Sequence, residues 1–424
     1  AFVFLPTMIL IGYGGAASMV EFNAFVDNSP DPWPLIATDR QSCPIDRVDV
    51  DGFAYYQVSD TDLIQYVNRN HRIYSNMMGV IPRGPEPEGQ RVLEFADPPE
   101  HTFHRKLVAK AFSMSKIEER SEQIQAVADD LVDDIVAKGE EFELRRAFGR
   151  PLPSTIVAEI LGIPVSDREF FMDLSERAEA AVSEPTATEE YQLVYREFVD
   201  YIYEQFDERE RHPTDDLLSA ILHAEVGDQR FTRLEGAALV RLLLGAGNGT
   251  TSIAISNTVW LLESNPTEKA KLLADPERVA PTAVEEGLRF DCPVLGNFRG
   301  VIEETDLGGY RLAPGERVFQ LYTAANHDPA RYEDPDHFIA DRDWSAIPPH
   351  FAFGHGIHYC IGAHLARAET TVGLKTLYTR LPNLRVRDGF VPEQLPGIVF
   401  RTWKELFMQF DGPTRPRLSL QHGS

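Results

Sequence analysis

Apolar side chains return at every third or fourth position over most of the middle of the chain. Residues 100–112 (EHTFHRKLVAKAF), 121–139, 154–163, 168–182, 188–211 and 215–226 all follow this rhythm, which predicts a succession of amphipathic helices. A longer apolar segment over 233–266 predicts a helix of about 30 residues, roughly 45 Å long and able to cross a whole domain. Ahead of the helical region, GFAYYQVSD (52–60) reads as a strand, and TDLIQYVNRN (61–70) as a short helix opening on a Thr/Asp cap. Proline-rich 22–36 and Pro/Gly-rich 77–91 read as loops. Strand signals return late, in 298–323, 395–401 and 406–410. No repeat, low-complexity tract or linker divides the helical part from the β-rich part. The pattern predicts one mainly α domain with small β-sheets over 21–424. Residues 1–20 are apolar up to Ser18, lack a basic leading region, and contain Pro6 and three glycines. They read as a disordered or appended extension, neither a signal peptide nor a spanning helix.

The chemistry concentrates in FAFGHGIHYCIGAHLARAE (351–369), where one cysteine and three histidines crowd a glycine-rich turn before an alanine-rich helical pattern. Cys360 admits three readings. It can be a small buried apolar residue. It can belong to a zinc site with His355, His358 and His364, although the spacing matches no common zinc pattern and leaves Phe351 and Phe353 unexplained. It can also be an axial thiolate to haem iron. Gly354, Gly356 and Gly362 allow a tight turn and close approach of a flat group, and a helix N-terminus next to the sulfur favours its ionised form.

The residues Phe353, Gly356, His358, Cys360 and Gly362 resemble the cytochrome P450 signature. Three further segments resemble that family in the same order. His101 and Arg105 in HTFHR match residues that bind haem propionates, as does Arg299 in NFRG. Glu286 and Arg289 in EEGLR match the family's Glu-x-x-Arg, and 324–344 resembles its Asn-x-Asp-Pro meander, with Arg342 completing the charged group. The resemblance spans 22–410. It implies the P450 fold, a helix-rich prism with one long helix over the cofactor. It also implies haem b (iron protoporphyrin IX) ligated by Cys360, with Phe353, Gly354, His358, Gly362 and Ala246 against the porphyrin.

Gly245, Gly247 and Gly249 sit mid-helix, where each costs about 1 kcal/mol relative to alanine. A flat cofactor against the backbone accounts for them, and a glycine seam against another helix is the alternative. The family pattern here ends in an acidic residue and a threonine. Thr250, followed by Thr251, matches the threonine that orders water, but the acid position is Gly249, preceded by Asn248. Water relayed through Thr250, Thr251 or Ser252 can carry the protons instead. AGNGT is also similar to the matching helix of fungal nitric-oxide-reducing members. Nitric oxide reduction, peroxide-driven chemistry and a non-catalytic haem sensor stand as alternatives to monooxygenation.

The net charge of −25 argues against nucleic acid and anionic lipid as partners, and three cysteines are too few for a disulfide framework. A cytoplasmic monomer is the reading. The resemblance implies O2 and electrons from a separate ferredoxin and its NAD(P)H-dependent reductase. Lys106, Lys110 and Lys116 are candidates for attracting an acidic ferredoxin. By family position the substrate walls are Met77, Met78, Val80, Ile81, Leu243, Leu244, Ala246, Val294, Leu295, Phe298 and Val399. They are apolar and modest in bulk, which fits a small to medium hydrophobic substrate undergoing hydroxylation or O-dealkylation. Arg83 could meet a carboxylate.

Overall fold

Helix Arg233–Ser264 runs through the centre of the molecule, closed at its N-terminus by a capping box in which Thr232 and Glu235 satisfy each other's free groups. The computed structural model describes residues 20–418 apart from 25–28, 30, 51, 83–84, 184–188, 227–228, 396, 398 and 413. Residues 1–19 of the expected extension, and Arg83, lie outside the described residues. The central helix is long and apolar enough to cross a membrane, but 67% of its most apolar window is buried against protein. Helices Pro151–Leu161, Pro276–Phe290 and Ala363–Arg380 pack on it.

One five-stranded sheet flanks this helical body, in the order Ile45–Val50, Phe53–Val58, Arg317–Leu321, Gly296–Val301, Tyr74–Ser75. Arg317–Leu321 runs parallel to Phe53–Val58 and antiparallel to Gly296–Val301. Phe298 forms ring contacts with Phe53, Tyr55 and Phe319 at 5.6, 5.4 and 4.8 Å. A smaller sheet joins Arg385–Val386, Phe407–Gln409 and Glu141–Glu143.

The mainly helical architecture with small sheets matches the pattern reading. Several elements do not. Helix Trp33–Ser42 begins inside the stretch read as a loop, because Pro34 falls in its first turn, where a missing N–H costs nothing. Helix Thr61–Arg69 is capped by Asp60 rather than by its own first residues: the Asp60 side chain accepts from the Leu63 N–H. Strand Ile45–Val50 went unread because its charged residues mask the alternation, and it is held by antiparallel pairing with Phe53–Val58. Helix Pro276–Phe290 carries Pro281 in its interior and is held by tertiary contacts.

Candidate active site

Cys360 lies on the loop that feeds helix Ala363–Arg380. Its N–H donates to the Phe353 carbonyl at 2.9 Å, and Gly354 N–H donates to the Phe351 carbonyl at 2.8 Å, so two backbone bonds close the loop. Asn326 Oδ1 accepts from the Phe351 N–H at 2.6 Å and ties the loop to helix Tyr322–Asn326. Gly356 has φ +74°, and a Cβ there would stand 2.7 Å from the Asn68 carbonyl oxygen, so no larger residue fits.

Cys360 is exposed by its own surface, yet burial among protein atoms is the largest influence on its thiol and pushes it up to about 11. A bond from the Gly362 N–H and the charges of Arg105 and Arg367 pull the thiol down, but less strongly. The Gly362 N–H favours the ionised form as expected, but Cys360 stands two residues before that cap residue, and desolvation outweighs the bond. A coordinated metal cation supplies what the dipole does not, since a ligating thiol is deprotonated outright.

Beside the loop, the His101 and His358 rings stand 4.3 Å apart. The Nε2 atoms of both are buried without a hydrogen-bond partner. Burial, then the charge of Arg105, lowers His101 to about 4. Burial, then Arg299, lowers His358 to about 2. Burial also lowers Arg105, and the charge of Cys360 opposes it. Arg299 is buried on strand Gly296–Val301, with Nη1 donating to the Phe298 carbonyl at 2.8 Å. Two neutral rings with unused nitrogens, among two guanidinium groups near one cysteine, form a donor set for an anionic group. That is what the carboxylates of a haem require, so the residues fit the cofactor. Zinc is not supported: among the described residues, no group of three His, Cys, Asp or Glu is placed to hold a metal ion.

Across the central helix, Gly245 and Ala246 are exposed although Leu243, Leu244, Asn248 and Gly249 around them are buried. An added Cβ at Gly245 would meet nothing within 4 Å, whereas one at Gly247 would stand 3.0 Å from Val157. The cofactor reading and the seam reading thus apply to different glycines. Thr250 is half-buried and its Oγ1 donates to the Ala246 carbonyl at 2.7 Å, while Thr251 is buried. Only the first hydroxyl lies on the exposed side of the helix.

The candidate wall residues divide. Backbone bonds from Phe298 N–H to Val80 O (3.0 Å) and from Leu295 N–H to Val399 O (2.8 Å) bring three segments together, and Val294 bridges Phe400. Met78 packs on Gly300, and Ile81 is partly buried against the core. Two residues require correction. Met77 is 40% exposed and lines an outer cleft of about 740 Å³ with His71, Arg72, Thr102 and Lys106. Phe298 has no exposed surface and belongs to the aromatic cluster of the sheet.

Glu286, Arg289 and Arg342 meet in a buried group. Arg289 spans both carboxylate oxygens at 2.9 and 2.7 Å, and Arg342 does the same at 2.9 and 3.1 Å. A second group escaped sequence reading. Glu285 accepts from Arg367 Nη2 at 3.0 Å and contacts His350 Nε2 at 3.1 Å. Burial pushes the Glu285 carboxyl up, but hydrogen bonds and charge from His350 and Arg367 outweigh it and hold the group down to about 2. Glu285 is the first residue of EEGLR, next to Glu286, and that adjacency is its only local signal. Glu369, at the end of the cysteine motif, is buried in helix Ala363–Arg380 with Oε1 unpartnered, and burial holds its carboxyl well above the usual range.

Comparison with known proteins agrees with this site. The family model described as cytochrome P450 matches residues 44–382. Cytochrome P450 107B1 of Saccharopolyspora erythraea is 38% identical over 291 residues, covering 68% of this chain and 70% of that one. Mycinamicin IV hydroxylase/epoxidase of Micromonospora griseorubida is 37% identical over 292 residues, covering 68% and 72%. Among solved structures, a mutant of P450 EryK in complex with erythromycin B superposes with a TM-score of 0.79 at 31% identity, covering 91% of this chain and 97% of that one. The cysteine loop, the anion-seeking cluster and these likenesses have one common account: the chain belongs to the cytochrome P450 family, haem-thiolate monooxygenases of bacterial type.

Proposed function

We propose that this P450 inserts one atom of O2 into a C–H bond of a small to medium hydrophobic substrate, by hydroxylation or O-dealkylation. Electrons come from a separate ferredoxin and its NAD(P)H-dependent reductase, and the enzyme works in the cytoplasm as one domain over 21–424. The observation that carries the reading is surface-accessible Cys360 on its closed loop beside the unpartnered Nε2 atoms of His101 and His358. Haem b, held by Cys360, would supply the O2 chemistry.

The chain's own residues do the rest. Cys360 Sγ ligates, and the Gly362 N–H and Arg367 charge steady its ionised form. His101, Arg105, His358 and Arg299 would hold the propionates, and Gly245 and Ala246 would leave room for the porphyrin beside the central helix. Thr250 Oγ1 holds the Ala246 carbonyl and presents a hydroxyl through which water can pass protons. Gly249 offers no carboxyl, and Asn248 is buried, so neither is a proton donor at that point. Leu243, Leu244, Val294, Leu295, Val80 and Val399 supply the apolar wall. A relative named as a hydroxylase/epoxidase supports oxygen insertion as the reaction class.

Exposed Lys106 and Lys110 support docking of an acidic ferredoxin, whereas Lys116 is spent on Glu119 at 2.6 Å. The test is a reduced, carbon-monoxide-bound spectrum of the haem-loaded protein, then a ligand screen with a surrogate ferredoxin pair. A thiolate-type band, spin-state change on ligand binding and product coupled to NAD(P)H are expected. A protein without that band overturns the reading. The missing carboxyl at Gly249 favours nitric oxide reduction as a second reading. Nitric-oxide-dependent NADH oxidation without any ferredoxin would establish it.

A further inference from the structure

The outer cleft of about 740 Å³ beside helix Glu100–Val108 is used by neither the cofactor nor the proposed reaction. Its walls are fixed by backbone. Strand Tyr74–Ser75 forms the edge of the five-stranded sheet, paired with Val301 and Gly300, and the Ile302 N–H donates to the Ile73 carbonyl at 2.9 Å. Helix Glu100–Val108 supplies the other wall. On that helix His101 and Arg105 share one face, four residues apart. Thr102 and Lys106 share the next face and line the cleft. The propionate cluster and the cleft therefore lie on different faces of one element.

The lining combines apolar surface with uncommitted positive charge. Met77 and Ile302 are 40% and 48% exposed, and they meet Phe103 in the same lining. Large apolar side chains left to water together mark a binding surface. Arg72 and Lys106 are exposed in that lining, and among the described residues neither side chain makes a hydrogen bond or ion pair. The acid of the lining, Asp97, is already committed. Its Oδ2 accepts from Ser75 Oγ, and its Oδ1 accepts from the Asn76 N–H at 3.1 Å. Two cations thus stand over an apolar lining on a chain whose net charge is −25. A concave site of this volume suits a small molecule, with apolar surface for its body and a few polar groups to orient it. The arginine fork matches a carboxylate through two parallel bonds, and the lysine adds a point charge.

We propose that this cleft is a second ligand site, which binds a hydrophobic carboxylate outside the haem pocket. Arg72 and Lys106 hold the carboxylate, and Met77, Phe103 and Ile302 cover its hydrocarbon. The proposal goes beyond the monooxygenase reading, and its readout requires no turnover, so the two fail separately.

The test is isothermal titration calorimetry of the haem-loaded protein with decanoate, using decyltrimethylammonium and 1-decanol as controls of equal chain length. The haem pocket is first filled with clotrimazole, whose imidazole nitrogen ligates iron, and the absorption spectrum is followed throughout. Decanoate is expected to bind at least about tenfold tighter than either control, with the azole spectrum unchanged. Arg72→Gln combined with Lys106→Gln is expected to remove that advantage. Ile302→Ser is expected to weaken decanoate at least about threefold, and butyrate to bind at least about tenfold weaker than decanoate, because less apolar surface is covered. These side chains face solvent, so the substitutions leave the fold intact. Absence of decanoate binding, displacement of the azole, equal affinity for the three long-chain probes, butyrate binding as tightly as decanoate, or a preference that survives the double substitution overturns the proposal. Slower reduction of the double variant by a ferredoxin, with decanoate affinity unchanged, also overturns it and gives the two charges to the electron donor.

Discussion

The guanidinium of Arg367 lies 4.4 Å from the ring centroid of Phe353, clamping the start of the cysteine loop from below. The same side chain donates to Tyr359 Oη at 3.3 Å and pairs with Glu285 on helix Pro276–Phe290. Arg367 therefore stacks, hydrogen bonds and ion pairs at once, which lysine cannot reproduce. Arg367→Lys is expected to lose about 1–3 kcal/mol of stability and to shift part of the carbon monoxide band to the form lacking a thiolate. Unfolding curves and the reduced difference spectrum check both.

Glu285 gives that clamp a pH limit. Its folded carboxyl is held down to about 2 against an ordinary value of 4.5, so the unfolded chain binds more protons between those values. The resulting stability is present above the ordinary value and is lost as pH falls through the folded one. The difference amounts to at most about 3 kcal/mol, and partial exposure of the carboxylate reduces it to about 2. Glu285→Gln is expected to flatten this part of the acid limb in urea unfolding. An unchanged acid limb contradicts the assignment.

Glu286 stands between two buried arginines. Removing its charge leaves Arg289 and Arg342 buried and facing each other without an anion. Glu286→Gln is expected to cost about 3–5 kcal/mol, far more than a surface pair. Thermal melting and haem retention after gel filtration measure it. A loss below about 1 kcal/mol would mean that backbone carbonyls around the arginines suffice.

Thr250 and Thr251 are adjacent and face different ways. Thr250→Val removes the hydroxyl on the exposed side of the central helix and is expected to divert electrons to hydrogen peroxide, with product per NAD(P)H falling about tenfold or more. Thr250→Ser should restore most coupling. Thr251→Val should alter stability more than coupling. Parallel assays of peroxide, product and NAD(P)H distinguish the three.

Lys110 is exposed on the face carrying helix Glu100–Val108. Lys110→Glu is expected to slow reduction by a ferredoxin about tenfold at low salt, and the difference should shrink as ionic strength rises. Stopped-flow reduction over a salt series reads this directly. A rate indifferent to both charge and salt would remove the docking face.

Features carried by neighbouring residues were legible in the sequence. The glycine-bracketed Cys360, the i,i+3 spacing of Glu286 and Arg289, and the helical rhythm around the central helix all depend on residues within a turn or two of one another. Tertiary structure alone decided the rest. Arg367 and Glu285 are 82 positions apart, and Asn68 meets Arg299 across 231. Such pairs leave no periodic trace, because their contact depends on how whole elements pack. The same holds for the turn Leu93–Phe95, which is pinned by His104 and Asn76. Register was decided there too: each step along a helix turns the side chain by about 100°, so only packing could show that Thr250, and not Thr251, lies on the open face.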